Sequence, residues 1–389
     1  MSNKKLVFVH DGPVYYDNDG NYYEFAYHKL YERYSYLADE IYFLIRTRGI
    51  SGDNKFTIMP KQIKVISVPN FKSPKLYFKE KKNAEVIIQQ TISNMDYVIL
   101  RTQSSIAQIA LKYIKKYNKP YIIESVGCSW DSYWNHNWIG KIIAPYMFYK
   151  TKKAIKNAPY VYYVTNEFLQ KRYPTTGKSV SCSNVVIEKC EEGVLNGRID
   201  KIKNNSLKNK IVLGTAAALD TRYKGQEYVI KAINKLVKKG YNVEYRLAGG
   251  NAGNKKNTFL YDLAIKENVL DRVKFMGSLS LDKMNDFYDD IDIYIQPSKQ
   301  EGLPRAVIEA MSRGCVVIGS DIAGIPELIQ GDCLFKKGNV NSLITTLERV
   351  LKMNMEKLAK ENFYKAQLYD KNILENKRKN FYDDFLLHQ

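Results

Sequence analysis

Six short runs in the first half of the chain are almost continuously apolar and rich in β-branched and aromatic residues. They are KLVFVH (5–10), IYFLI (41–45), IKVISV (63–68), DYVIL (96–100), PYIIES (120–125) and YVYYVT (160–165). Strands of this kind, apolar on both faces, belong to a parallel sheet buried between helices. The segments between them, Tyr22 to Leu37, Lys79 to Ser93 and Ser104 to Tyr117, carry helical patterns. The result is repeated βαβ and a doubly wound α/β sheet.

A second alternation of the same kind follows, with IVLGT (211–215), VEYRLAG (243–249), RVKFMG (272–277), DIYIQP (292–297) and CVVIGS (315–320). Its helix Glu227 to Lys239 sets Ile230, Ile233, Leu236 and Val237 on one face and stops at Gly240, suited to a left-handed cap. A polar, turn-rich stretch lies between the two blocks at residues 188–210. The expected division is a first α/β domain over 1–195, a linker over 196–209, a second α/β domain over 210–372, and a helix over about 373–389 that crosses back to the first. A length of 389 residues suits two domains that each bury a core. In twin domains of this class a ligand is expected in the cleft between the carboxyl ends of their strands.

Bulk properties exclude several classes. The first apolar run has four residues before His10 and Asp11, short of the roughly 7–15 of a signal-peptide core, so a cytoplasmic location is expected. No stretch reaches the ~20 apolar residues of a membrane-spanning helix. Five scattered cysteines without a CxxC pair, and four histidines, give neither a disulfide framework nor a zinc site. The charge is unusual: 60 Lys and Arg against 41 Asp and Glu give +19, spread over both halves. Such a surface suits a phosphorylated substrate, an anionic lipid surface or nucleic acid, but no nucleic-acid-binding motif is present.

The segment with most chemical content is Pro297 to Ile329. Pro304 suits the first turn of a helix, so Glu301, Gly302 and Leu303 form the approach loop and Glu309 sits in the second turn. Backbone N–H groups at such a helix start favour phosphate, and Gly302 allows close approach. A carboxylate at Glu301 is unfavourable beside phosphate and suits sugar hydroxyls or developing positive charge. Glu309 is spaced to reach a second polar group such as a ribose.

This string, Glu301-GLPRAVI-Glu309-AMSRGCVVI with downstream Gly324, Pro326 and Glu327, resembles the sugar-nucleotide signature of the family 4 retaining glycosyltransferases, in which two glutamates are separated by seven residues. The resemblance extends to GTAAALDTRYKGQEYVIKAI (214–233) and to VKFMGSLSLDKMNDFYDDIDIYIQPS, and it places Met276 and Gly277 among the substrate-binding residues. It implies a GT-B architecture of two Rossmann-like domains, with the donor nucleotide on the C-terminal one. It also implies that Lys224 grips the donor diphosphate. The arginine usual in the family lies where this chain has Ala-Ala-Ala, which leaves Arg222 as the substitute. Fixed cations there stabilise leaving-group charge without a metal.

In the first domain the resemblance points to the loop HDGPVYYDNDGNYYEF, with Gly20 as the best match to the family's glycine loop and Gly12 next. Where the family has a histidine after a middle strand, this chain has Glu124, and the nearest histidine is His136. Glu124, with Asp131, Trp130 and Trp134, is the candidate for the acceptor side, with plain packing of the two tryptophans as the alternative. Asp290 and Asp292 have the Asp-x-Asp form of a metal site in another glycosyltransferase fold, but here they read as a helix end and a strand start. The segment Gly140 to Tyr160 mixes five lysines with aromatics and has two open readings: a helix lying on an anionic bilayer, or a solvated face covering the sheet.

The activity implied is retaining transfer of a sugar from a nucleotide diphosphate, a UDP-sugar favoured, to a glycan or polyprenyl-linked acceptor, as in bacterial capsule, exopolysaccharide or O-antigen synthesis. Neither a metal nor a redox cofactor is expected. The alternatives are a sugar-nucleotide epimerase of the same fold, distinguished by acceptor-free isomerisation, and a non-catalytic basic surface-binding protein.

Overall fold

The computed structural model describes residues 3–24, 30–50, 57–71, 77–135, 138–185, 187–188, 190–204, 210–250 and 259–389. The chain divides into two compact units, one of residues 1–164, 170–181 and 378–389, the other of 165–169 and 182–377.

The first unit is built on β1 (Lys5–Val9), β2 (Glu40–Ile45), β3 (Ile63–Ser67), β4 (Tyr97–Arg101), β5 (Tyr121–Ser125), β6 (Tyr160–Tyr163) and β7 (Lys178–Ser181). They form one wholly parallel sheet in the order β7-β6-β5-β4-β1-β2-β3. Leu6, Val7, Phe8 and Val9 have no accessible surface, so β1 is covered on both faces, as its unbroken apolar run requires. The helix Ser105–Lys116 starts on the Ser104 side chain, which accepts from the Ala107 N–H.

Three expectations change here. The helix expected from Tyr22 is replaced at its start by a strand, Tyr22–Glu24, paired antiparallel with Val14–Tyr16 in a small four-stranded sheet; residues 25–29 lie outside the described residues, and a helix spans Leu30–Tyr34. The Asp17 carboxylate closes that hairpin by accepting from the N–H groups of Asp19 and Asn21 and from the Asn21 and Tyr23 side chains. Two adjacent tyrosines suit a pleated surface better than a helix. Gly20 therefore occupies a left-handed position in an exposed hairpin turn and does not open a helix. Second, β7 is a polar, half-exposed edge strand without an apolar signal.

Third, most of the expected linker is a helix, Glu192–Asn204, and the second unit already begins at Cys182. Leu195 and Ile199, spaced i and i+4, bury against Ala359 and Phe363. Buried Arg198 donates to the carbonyls of Ile291 and Tyr288 at 2.7 and 2.6 Å. A polar composition concealed a short apolar seam, Leu195 and Ile199 with Val194 and Ile202 packed beside them; residues 205–209 lie outside the described residues.

The second unit is built on β8 (Ile211–Ala216), β9 (Val243–Ala248), β10 (Val273–Gly277), β11 (Ile293–Gln296), β12 (Val316–Ser320) and β13 (Leu334–Phe335). The sheet is parallel, in the order β10-β9-β8-β11-β12-β13. The strand order thus reverses direction between β8 and β11, which opens a crevice at their carboxyl ends where ligands of such sheets bind. Gly240 caps its helix in the left-handed region, at φ +88°. The C-terminal helix Lys371–Leu387 contributes residues from Arg378 onward to the first unit, where Tyr160 donates to the Asp384 carboxylate at 3.0 Å. All five cysteines are free thiols, four of them buried. Among the described residues no helix is long and apolar enough to cross a membrane.

Candidate functional site

The loops leaving β8 and β11 meet at the switch point of the second sheet. The chain leaving β8 makes a 3-10 turn, Arg222–Lys224, and then Gly225 at φ +76°. A Cβ on Gly225 would lie 2.0 Å from the Pro297 carbonyl oxygen, so only glycine lets this turn seat against the chain leaving β11. The Lys299 N–H donates to the Tyr223 carbonyl at 2.7 Å and locks the two loops together.

This contact delivers Lys224 to Glu301. The Lys224 ammonium donates to Glu301 Oε1 at 2.7 Å, and the same oxygen accepts from Ser298 Oγ at 2.7 Å and Gln296 Nε2 at 3.0 Å. All three donors converge on Oε1; among the described residues Oε2 receives no hydrogen bond, and the side chain is 10% exposed. Behind it, Gln296 Oε1 accepts from the buried Tyr294 hydroxyl at 2.9 Å. Burial pushes the Tyr294 phenol well above its ordinary range, so it stays a donor. The carboxylate is thus aimed, with one oxygen fixed and one available.

Pro304 stands just ahead of the helix Arg305–Ser312, one position earlier than expected, and is buried. Leu303 and Gly302 form the approach to it as anticipated. The Gly302 carbonyl accepts from the Gly324 N–H at 3.0 Å, a contact that a Cβ on Gly324 would obstruct at 2.3 Å. Glu309 sits in the second turn, where its Oε2 accepts from the Tyr288 hydroxyl at 2.9 Å. Burial, with Tyr294 and the Glu309 carboxylate beside it, drives the Tyr288 phenol well upward and keeps it a donor.

Arg222 is exposed, its guanidinium 4.5 Å from the Phe259 ring centroid. Lys299 pairs with Glu227 at 2.8 Å; burial opposes its charge, but that carboxylate outweighs the penalty and raises its pKa. Met276 is exposed at the carboxyl end of β10, and the Gly277 carbonyl accepts from the Gly249 N–H at 2.8 Å, tying the β9 and β10 loops together. Gln296, Ser298 and Tyr288 were not singled out from sequence, although Gln296-Pro297-Ser298 directly precedes the glutamate string.

Asp290 and Asp292 do not converge. Asp292 is buried and accepts from the Val212 N–H at 2.8 Å, whereas Asp290 ends its helix and pairs with Arg246 at 3.4 Å. Among the described residues no group of three potential metal ligands occurs.

In the first unit Glu124, picked for the acceptor side, has a structural duty. Glu124, 1% exposed, is held by Arg101 at 2.8 Å and by the Tyr34 hydroxyl at 2.8 Å, so its carboxylate faces an internal ion pair and no acceptor pocket. Burial raises its pKa, but Arg101 and Arg33 together outweigh burial and hold it below the usual range. Trp130 and Trp134 stack at 5.2 Å, and His136 lies outside the described residues. Gly12, at φ +56°, stands at the carboxyl end of β1; a Cβ there would meet Ile45 at 2.6 Å. Its neighbour Asp11, not anticipated, accepts from Ser104 Oγ and from the N–H groups of Ser105 and Ile106, all at 2.9 Å. That carboxylate anchors the first helix beyond the β4 switch point.

Comparison with known proteins bears on this geometry. The sequence profile of the family described as "Glycosyl transferases group 1" matches residues 198–367. Protein CapJ of Staphylococcus aureus is 35% identical over 384 residues, 96% of this chain and 90% of that protein. The amylovoran biosynthesis glycosyltransferase AmsK of Erwinia amylovora is 31% identical over 140 residues, 33% of each chain. Among solved structures, Anabaena Alr3699/HepE in complex with UDP-glucose superposes with a TM-score of 0.63 at 15% identity, covering 99% of this chain and 100% of that one. The structural likeness shows the fold, GT-B, with two Rossmann-like α/β units.

Proposed function

Because the chain belongs to the group 1 glycosyl transferases, we propose that it moves a sugar from a nucleotide diphosphate donor, with a UDP-sugar favoured, to a glycan or polyprenyl-linked acceptor in surface-polysaccharide synthesis, with the anomeric configuration retained as in family 4. The observation that carries this reading is the Glu301 carboxylate: Oε1 fixed by Lys224, Ser298 and Gln296 at the β8/β11 switch point, Oε2 left to accept from a sugar hydroxyl. HepE, solved in complex with UDP-glucose, and AmsK, an amylovoran biosynthesis glycosyltransferase, support the donor class and the polysaccharide setting.

In this reading the donor C1–O bond stretches toward an oxocarbenium-like state, and negative charge collects on the departing diphosphate. The Lys224 ammonium has three N–H donors and commits one to Glu301, so two remain for phosphate oxygens. Arg222 adds a second cation, and backbone N–H groups at the start of the helix Arg305–Ser312 complete the anion site. Glu301 orients the sugar through its hydroxyls. Glu309, steadied by Tyr288, accepts from the ribose. The acceptor hydroxyl attacks from the face the diphosphate leaves, and its proton passes to the departing phosphate oxygen. No metal is needed for charge neutralisation, and the work is done at the cytoplasmic face of the membrane.

The test is a thermal-shift panel of UDP-, GDP-, ADP-, CMP- and dTDP-sugars on the protein and on Lys224→Ala and Glu309→Ala. The expected result is a rise in Tm with one nucleotide class that both variants lose, followed by transfer with retained configuration in the NMR spectrum of the product. Flat curves with every nucleotide sink the reading, and acceptor-free isomerisation of the donor replaces transferase with epimerase.

A further inference from the structure

The helix Trp138–Lys156 presents an inverted surface. Gly140, Ala144, Met147, Thr151 and Ile155 are buried and recur at helical spacing, so one stripe faces the unit. The opposite stripe is apolar as well, and it is bare: Trp138 is 71% exposed, Ile142 69%, Tyr149 64% and Tyr146 57%. Ile139 and Ile143 extend it, and Trp134 is exposed on the preceding helix. Exposed large apolar residues gathered on one face mark a docking surface, since soluble surfaces scatter them singly.

The charge around this stripe identifies the partner. Lys141, Lys150, Lys152, Lys153 and Lys156 are all exposed on the same helix, and none of them forms an ion pair among the described residues. No acidic residue occurs from Ser132 to Asn166. Lys141 lies over Trp134 at 5.9 Å and Lys150 over Tyr146 at 4.7 Å, so cation and ring share one amphipathic band. Four of the five lysines follow Tyr149, which puts the apolar stripe on the first three turns and the charge on the last two. Tryptophan and tyrosine at the edge of hydrocarbon, with lysine at headgroup depth, is the pattern of a helix lying in a bilayer interface. A second copy of the chain fits poorly, because a two-fold contact would set these lysines against their own copies with no carboxylate between them.

We propose that the helix Trp138–Lys156 docks the protein on an anionic lipid bilayer, with Trp138, Ile142, Tyr146 and Tyr149 entering the headgroup–acyl boundary and the lysines binding lipid phosphates. The assignment rests on the first unit alone and is independent of the nucleotide site. The experiment is flotation of the full chain with vesicles of equal parts phosphatidylglycerol and phosphatidylcholine, against phosphatidylcholine alone, at low and high salt. The variants are the triple Trp138→Ser, Ile142→Ser, Tyr149→Ser and the quadruple Lys150→Gln, Lys152→Gln, Lys153→Gln, Lys156→Gln.

The protein is expected to float only with the anionic vesicles, and each set of substitutions to weaken binding about tenfold or more while Tm and any nucleotide response stay unchanged. If a variant does not fold, the unsubstituted protein still decides the matter: its tryptophan emission should shift to the blue and be quenched by bromine-labelled acyl chains. Equal flotation with both vesicle types overturns the proposal, as does undiminished binding by the triple variant. A dimer in sedimentation that the triple variant dissolves assigns the face to a second copy and overturns it too.

Discussion

Lys224 and Glu301 stand 77 positions apart in sequence and 2.7 Å apart in space, joined by an ion pair that Ser298 and Gln296 reinforce on the same carboxylate oxygen. The pair is three-quarters or more shielded from solvent. Its geometry puts a cation and an aimed carboxylate on one wall of the switch-point crevice, so the two residues have separable tasks that substitution can divide.

Removing the cation removes charge stabilisation that grows as the diphosphate departs. Lys224→Ala is therefore expected to lower kcat/KM by roughly 10²–10³. Initial rates with saturating acceptor, beside circular dichroism to show an intact fold, check this. Equal rates would mean that Lys224 only braces Glu301.

Glu301→Gln keeps shape but turns an acceptor oxygen toward three donors into a mixed group. A loss of about 10² in kcat, about 2.7 kcal/mol, is expected, with nucleotide affinity within a few-fold of the parent. The discriminating measurement is calorimetric titration with the free nucleoside diphosphate beside the turnover assay.

Gly225→Ala places a Cβ 2.0 Å from the Pro297 carbonyl oxygen at a φ of +76°. Backbone strain alone costs about 1–3 kcal/mol, and the overlap parts the two loops that bring Lys224 to Glu301. Both Tm and donor binding should fall, whereas Gly20→Ala, with open space around it, should leave donor binding unchanged.

Tyr288→Phe deletes one donor to Glu309. Loss of such a bond is worth about 1 kcal/mol, so nucleotide affinity should weaken about fivefold with kcat little changed. Calorimetry with the nucleoside diphosphate reads it directly.

Glu124→Gln breaks a buried ion pair and is expected to destabilise the fold by about 3–5 kcal/mol near neutral pH. The folded carboxyl is held below its ordinary value of 4.5, so its contribution is complete above about that pH and disappears as pH falls through the lower folded value. Urea unfolding of parent and variant should accordingly converge as pH falls below 4.5. A gap that stays constant with pH would assign the loss to packing.

The buried strands were legible because a parallel strand covered on both faces leaves an unbroken apolar run: β1 and β2 lie within a residue of their expected ends. The helix Glu192–Asn204 was not, because only Leu195 and Ile199 of its apolar residues are fully buried, with Val194 and Ile202 half-buried beside them among charged and polar neighbours. Gly20 was misplaced for a related reason, since a glycine before an aromatic pair serves a hairpin turn as readily as a helix approach.

Sequence alone determined that Glu301 and Glu309 flank one helix start, since that spacing is local and any helix beginning near Pro304 reproduces it. It did not determine what meets them. Lys224 reaches Glu301 because β8 and β11 lie side by side, a neighbour relation set by the crossover order of the sheet and invisible to local periodicity, and Tyr288 reaches Glu309 from the helix Leu281–Asp290. For Glu124 the sheet chose the opposite outcome: β4 beside β5 brings Arg101 against it and turns a candidate site residue into a core ion pair. The helix Trp138–Lys156 is the third case. Both of its faces are apolar, so periodicity could not say which one is covered; packing buried the small-residue stripe and left the tryptophan and tyrosines outside.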